Sequence, residues 1–283
     1  MIARFGPGGN GEAFRLTGGR STVEAPRWLK DFGLNAYEYE AGNGLSASAE
    51  TLRLIGDEGI KHGIKLSYHT PYFISLSGVV PETRLKSIGY IEESVYAARL
   101  LRADTIVVHT GSAAKITRDE AMRLAADTLI RTLSEVDTSG IRIGLETMGK
   151  KNQLGTLDEV LELCRIDSAL HPVIDFGHLN ARDCGGVFKT SDDYLRVFEK
   201  IEKVLGVDYC VNLHCHFSRI EWTDKGEKKH LTFADDQYGP PYRPLVEAIE
   251  RSGFAPTVIC ESAGTQAEDA LLMKKYYEEI KNE

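Results

Sequence analysis

The polar residues of this sequence that could do chemistry fall at the ends of apolar runs. KLSYHT carries His69, TIVVHT carries His109, RIGLET carries Glu146, and PVIDFGH carries Asp175 and His178. NLHCHF holds both His214 and His216, and TVICES ends on Glu261. Singly, a histidine at the end of such a run is more often a hydrogen-bonded structural residue, and a glutamate often caps a following helix. Together they read differently. Five of the eight histidines and three carboxylates end six consecutive runs. Carboxylates gathered in low-dielectric surroundings repel one another unless cations sit among them. Neutral imidazole with carboxylate suits zinc, and also manganese or iron. The set exceeds what one tetrahedral ion can use, which points to two or three ions bridged by carboxylates. Clustered divalent ions serve hydrolysis of phosphate esters: one lowers the pKa of a water, and the others hold phosphoryl and leaving oxygens.

Three histidines lie outside this pattern. His62, in KHG, reads as the surface end of a helix, and His171, before Pro172, as a loop residue. His230, in GEKKHLTF, lies in a long connection that can bring it over the same rim, with Glu227 as its nearest acidic companion.

The elements needed to position these residues are visible as alternation. Strand patterns cover Ile2–Phe5, Ala36–Glu40, Lys65–Thr70, Thr105–Thr110, Arg142–Thr147, Pro172–Phe176, Cys210–Phe217 and Thr257–Glu261. Several are nearly continuous apolar runs, as in parallel strands covered on both faces. Helical patterns cover Lys86–Arg102, Asp119–Leu133 after Thr117, Thr156–Cys164 with a capping-box spacing to Glu159, Ser191–Val204, Tyr242–Ser252 and Gln266–Ile280. About eight strand–helix units in 283 residues predict an α/β fold, a closed (β/α)8 TIM barrel forming one domain over residues 1–283. In such a barrel the polar residues at the ends of these strands all sit on the C-terminal rim, where active sites occur. The longest connections, 71–83 and 218–241, follow the third and seventh strands.

Composition sets limits. The 42 acidic and 34 basic residues give a net charge of −8, which excludes a uniformly basic coat and requires any nucleic-acid contact to use a local basic rim or bound cations. No apolar run approaches the roughly 18–20 residues of a membrane span, and the start of the chain lacks the basic-then-apolar plan of a signal peptide. Five cysteines with no Cys-x-x-Cys pair read as reduced thiols, and the chain as cytoplasmic.

Six segments, HTPYFISLSG, VVHTGS, LETMGKKNQLG, IDFGHLNA, HCHFSR and CESAG, occur in the order and spacing of one known family. The chain resembles the endonuclease IV family (AP endonuclease family 2), within the xylose isomerase-like TIM barrel superfamily. The resemblance implies a hydrolase, a deoxyribonuclease IV-type apurinic/apyrimidinic endonuclease of DNA repair, acting as a monomer with three zinc ions. It would hydrolyse the phosphodiester 5′ to an abasic site. It assigns His69, His109 and Glu146 to one metal. Glu146, Asp175, His214 and Glu261 fall to the second, and His178 and His230 to the third. Glu261 would position the attacking hydroxide and Glu146 would bridge. His216 is the other candidate for the place given to His214, since both share one strand face. Where the family has Asp-x-His, residue 228 is lysine, and Glu227 is the acid that would reach instead. Tyr72 stands where the family probes DNA, and Lys150, Lys151, Arg219, Lys225, Lys228 and Lys229 would form the DNA-binding rim. The second-strand loop, EYEAGNG, is acidic where the family is basic and aromatic. The other enzyme class in view is a sugar isomerase or epimerase of the xylose isomerase type, which uses one metal on Glu146, Asp175, His214 and Glu261 and gives the other histidines no role. A binder of abasic DNA without activity is a third reading.

Overall fold

Runs such as Thr105-Ile-Val-Val-His109 bury nearly every side chain because helices cover one face and the barrel interior fills the other. In the computed structural model, which describes residues 2–282, eight runs of this kind build one sheet. They are β1 (Arg4–Pro7), β2 (Ala36–Glu40), β3 (Lys65–His69), β4 (Thr105–His109), β5 (Arg142–Glu146), β6 (Leu170–Asp175), β7 (His214–Phe217) and, after a hairpin, β10 (Thr257–Cys260). Every pairing among them is parallel. The order runs β1-β10-β7-β6-β5-β4-β3-β2. A parallel bridge from Gly8 to Glu38 brings the two edges together. Gly6 permits that approach: a Cβ there would stand 1.8 Å from the carbonyl oxygen of Ala36. The result is a single-domain TIM barrel.

The helices between strands start where side chains can satisfy their free N–H groups. Thr117 accepts from the Glu120 amide at the head of Arg118–Glu135, and Thr156 with Glu159 forms the capping box of Leu157–Cys164. Helix Ala49–His62 ends on Gly63 in the left-handed conformation, which leaves His62 in its last turn beside Glu58.

The structure departs from the sequence pattern in several places: His171, expected in a loop, lies within β6, and Phe176, expected at a strand end, opens helix Phe176–Arg182. The expected strand Cys210–Phe217 begins only at His214, because Asp208–Val211 forms a single helical turn. The long connection after β7 contains an antiparallel hairpin, β8 (Ile220–Thr223) and β9 (Gly226–His230). No cysteine is paired among the described residues: Cys164, Cys210, Cys215 and Cys260 are buried, and Cys184 is partly exposed. Among the described residues no helix is long and apolar enough to cross a membrane.

Candidate metal centre

Strand ends aim the polar side chains at one mouth of the barrel, and backbone carbonyls set their orientation. His69 Nδ1 lies 2.9 Å from the Thr70 carbonyl, which makes it the protonated nitrogen and leaves Nε2 facing Glu146 Oε2 at 3.6 Å. His109 Nε2 approaches the same oxygen at 3.2 Å. His178 Nδ1 lies 2.9 Å from the Thr147 carbonyl, and its Nε2 faces Glu227 Oε2 at 3.6 Å. Such outer partners fix the tautomer of a ligating imidazole. Asp175 divides its work. Oδ1 caps helix Phe176–Arg182 by accepting from the His178 amide, while Oδ2 is buried without a hydrogen-bond partner.

Ligand atoms from these residues gather in four groups, each with all members within 4.8 Å of one another. They are His69, His109 and Glu146; Glu146, Asp175, His216 and Glu261; His178, Glu227 and His230; and Glu38, His69, His216 and Glu261. The donor chemistry fits divalent cations. Glu146 Oε2, Asp175 Oδ2, Glu38 Oε1 and His216 Nε2 are buried with no hydrogen-bond partner, a costly arrangement that bound cations would relieve.

The third group depends on an irregular hairpin. Trp222 pairs with Glu227 and Glu221 with Lys229, so Lys228 is an extra residue on β9. Residues three apart on a regular strand face opposite ways. The bulge turns Glu227 and His230 to the same side. Gly149 makes room for them, since a Cβ there would meet Glu227 Cβ at 2.6 Å.

The sequence pattern of the xylose isomerase-like TIM barrel family matches residues 26–277. The chain belongs to that family. It is 30% identical over 254 residues to an uncharacterized protein of Methanocaldococcus jannaschii, covering 88% of this chain and 90% of the other. It is 27% identical over 240 residues to a probable endonuclease 4 of Acholeplasma laidlawii, covering 78% and 80%. A crystal structure of a D-tagatose 3-epimerase-like protein superposes with a TM-score of 0.73 at 19% identity, over 99% and 98% of the two chains. The chain is thus similar in sequence to a protein with a nuclease name and in fold to one with an epimerase-like name.

Within this xylose isomerase-like barrel, the β7 histidines separate. His216 Nδ1 lies 3.0 Å from Glu146 and 3.4 Å from Glu261. His214 belongs to none of the four groups. Two residues earlier on β7, it sits one layer deeper, with Nε2 2.8 Å from Glu38. Of the two β7 histidines left open by the sequence, the fold brings His216 and not His214 into the groups of candidate ligands. Glu38, not singled out by the sequence, is fully buried in the lumen and receives Ser67 Oγ at 2.7 Å. Its signal was the alternation AYEYE: a strand covered on both faces must send its polar side into the lumen.

Electrostatics divides the cluster into acids and bases. Burial opposes ionisation of Glu146, but His109, His178 and His216 outweigh it and hold its carboxyl well below the ordinary value. Burial raises Glu261 to about 8, aided by Glu146 and Asp175 against the pull of His216. Burial also lowers His69, yet Glu40, Glu146 and Glu38 carry it up to about 10.

The residues expected to meet DNA fall around this mouth. Tyr72 is 60% exposed and donates to Asn43. Lys150, Lys151, Lys225 and Lys228 line a cavity of about 530 Å³ that also contains Glu227. Lys228 and Lys229 pair with Glu221. Arg219 is folded back onto the carbonyl of Asp235 in its own loop instead of extending as a free rim cation.

Proposed function

We propose that this enzyme is a metal-dependent phosphodiesterase that hydrolyses the DNA backbone 5′ to an abasic site, using three zinc ions. The observation that supports this reading best is the third group, His178, Glu227 and His230, beside the two groups joined by Glu146. A single-metal sugar epimerase has no use for it. The lysine-lined cavity beside Glu227 gives the same reading a surface for a phosphodiester.

His69, His109 and Glu146 would hold one ion. Glu146, Asp175, His216 and Glu261 would hold the second, and His178, Glu227 and His230 the third. Bound divalent ions supply an acidified water and neutralise charge on phosphoryl and departing oxygens. Glu261, 17% exposed at the mouth, would orient the attacking water. Glu146 would contribute to both of the first two positions, since it belongs to both groups. Exposed Tyr72 meets the duplex, and Lys150 and Lys225 meet its backbone.

The test is a duplex carrying one abasic site, incubated with and without chelator. A nick 5′ to the lesion that disappears with chelator is expected, and about three zinc equivalents in purified protein. Absence of nicking with one bound equivalent would favour the second reading, a sugar epimerase, which the set Glu146, Asp175, His216 and Glu261 alone could serve.

A further inference from the structure

Glu38 has no part in the reaction proposed above, and its two oxygens have unlike surroundings. Oε2 receives Ser67 Oγ at 2.7 Å and faces His214 Nε2 at 2.8 Å. Oε1 is buried and accepts no hydrogen bond. It stands 2.8 Å from His216 Nε2, which is itself buried without a hydrogen-bond partner. His69 and Glu261 each bring a ligand atom within 4.8 Å of both. Asp175 shows the same division, one oxygen anchored by the fold and one left bare.

We propose that Glu38 is a metal ligand, forming with His69, His216 and Glu261 a divalent-cation position on the β2 side of the barrel mouth. This rests on the metal-centre reading above and adds a strand to it: with Nδ1 turned to Thr70, His69 has one free lone pair, so an ion here would take the place of the one at His69, His109 and Glu146, and the total stays at about three. The plainer interpretation is an ion pair between Glu38 and His216. An ion pair of that kind would aim the ring N–H at the oxygen, whereas the 2.8 Å approach forms no aligned hydrogen bond. Cations held about 2.0–2.2 Å from nitrogen and oxygen set neighbouring ligands roughly 3 Å apart, and the Glu38–His216 spacing matches such an edge. Two imidazoles and two carboxylates balance one divalent charge and suit zinc, manganese or ferrous iron. His214 then acts as the outer partner that steadies the ligand carboxylate from below. His216 would serve two positions, Nδ1 toward Glu146 and Nε2 toward Glu38, only as an imidazolate whose ring proton leaves to solvent when both are filled.

Anomalous diffraction at the zinc edge, from wild-type crystals grown with zinc, tests this directly. The expected result is a peak within about 2.0–2.2 Å of Glu38 Oε1. Ions at the other groups with none on Glu38 would overturn this proposal and leave the metal-centre reading standing. No ion anywhere in the mouth would overturn both. In solution, Glu38→Gln keeps the side-chain volume and removes the charge. It is expected to weaken one zinc equivalent by about 100-fold or more, read by chelator competition, with the melting temperature as a check on folding. Wild-type zinc stoichiometry and affinity in a folded Glu38→Gln protein would count against the ligand role.

Discussion

Burial, with Glu146 and Asp175 nearby and His216 opposing, raises Glu261 from 4.5 to about 8. His69 rises from 6.5 to about 10 because Glu40, Glu146 and Glu38 outweigh its burial. Both groups therefore carry a proton at pH 7 in the metal-free protein, and a cation must displace it. Zinc loading should release protons, and affinity should tighten as pH rises toward 8 and beyond. Isothermal titration in buffers of different ionisation enthalpy checks this, and a proton count of zero would contradict it. The stability of the metal-free fold has the opposite sign. A raised folded-state value favours the fold below the unfolded value and loses that contribution as pH climbs through the folded one. Glu261 loses it between about 4.5 and about 8, and His69 between about 6.5 and about 10. The melting temperature of the metal-free protein should fall across that window while the zinc-loaded protein resists. At the same residue, Glu261→Gln assayed at saturating zinc, so that the ions stay bound, should lower abasic-site cleavage by roughly 100- to 10,000-fold, the usual contribution of a proton-handling group. Full activity in that variant would remove Glu261 from the mechanism.

The β8–β9 hairpin supplies a sharper test, because its bulge decides which way two ligands face. Inserting one alanine between Glu221 and Trp222 would give Lys228 a partner and regularise the pairing, leaving Glu227 and His230 three apart on a regular strand and so on opposite sides. One zinc equivalent should be lost. Lys228→Ala keeps the extra residue and should keep the metal, although it breaks the ion pair with Glu221. Equal zinc content in the two variants would mean that the bulge does not set the third group. The hairpin was hidden in the sequence because GEKKH has no apolar alternation, and only the turn residues Asp224 to Gly226 hint at it. By contrast, Ala36–Glu40 and Tyr242–Ser252 coincide with their expected bounds, since hydrophobic periodicity and flanking turns act locally. His214 and His216 share a face by the period of two, so only depth in the barrel separates them, and depth is a property of the closed sheet. Glu38 was obscure for the same reason: an acid on a strand looks solvated until closure places it in the lumen.

At the scale of the molecule, a net charge of −8 opposes any polyanion, so a DNA ligand has to be won at one mouth. The cations available there are unequal. Lys228 and Lys229 share Glu221, and Arg219 is turned into its loop. Lys150 and Lys225 remain on the wall of the cavity beside Glu227. Phosphate contacts made by such groups release condensed counterions, so log affinity falls linearly with log salt at a slope of about −0.9 per neutralised phosphate. Binding of an abasic duplex to the zinc-loaded protein should therefore weaken steeply between low and moderate salt. Lys150→Ala and Lys225→Ala should each reduce the slope by roughly one, whereas Lys229→Ala, which removes a charge already spent on Glu221, should change it less. Fluorescence anisotropy over a salt series measures all of these on one duplex. A slope near zero would mean that the mouth does not grip a phosphodiester backbone, and the epimerase reading, which needs only a small uncharged substrate at one ion, would then account better for the same carboxylates.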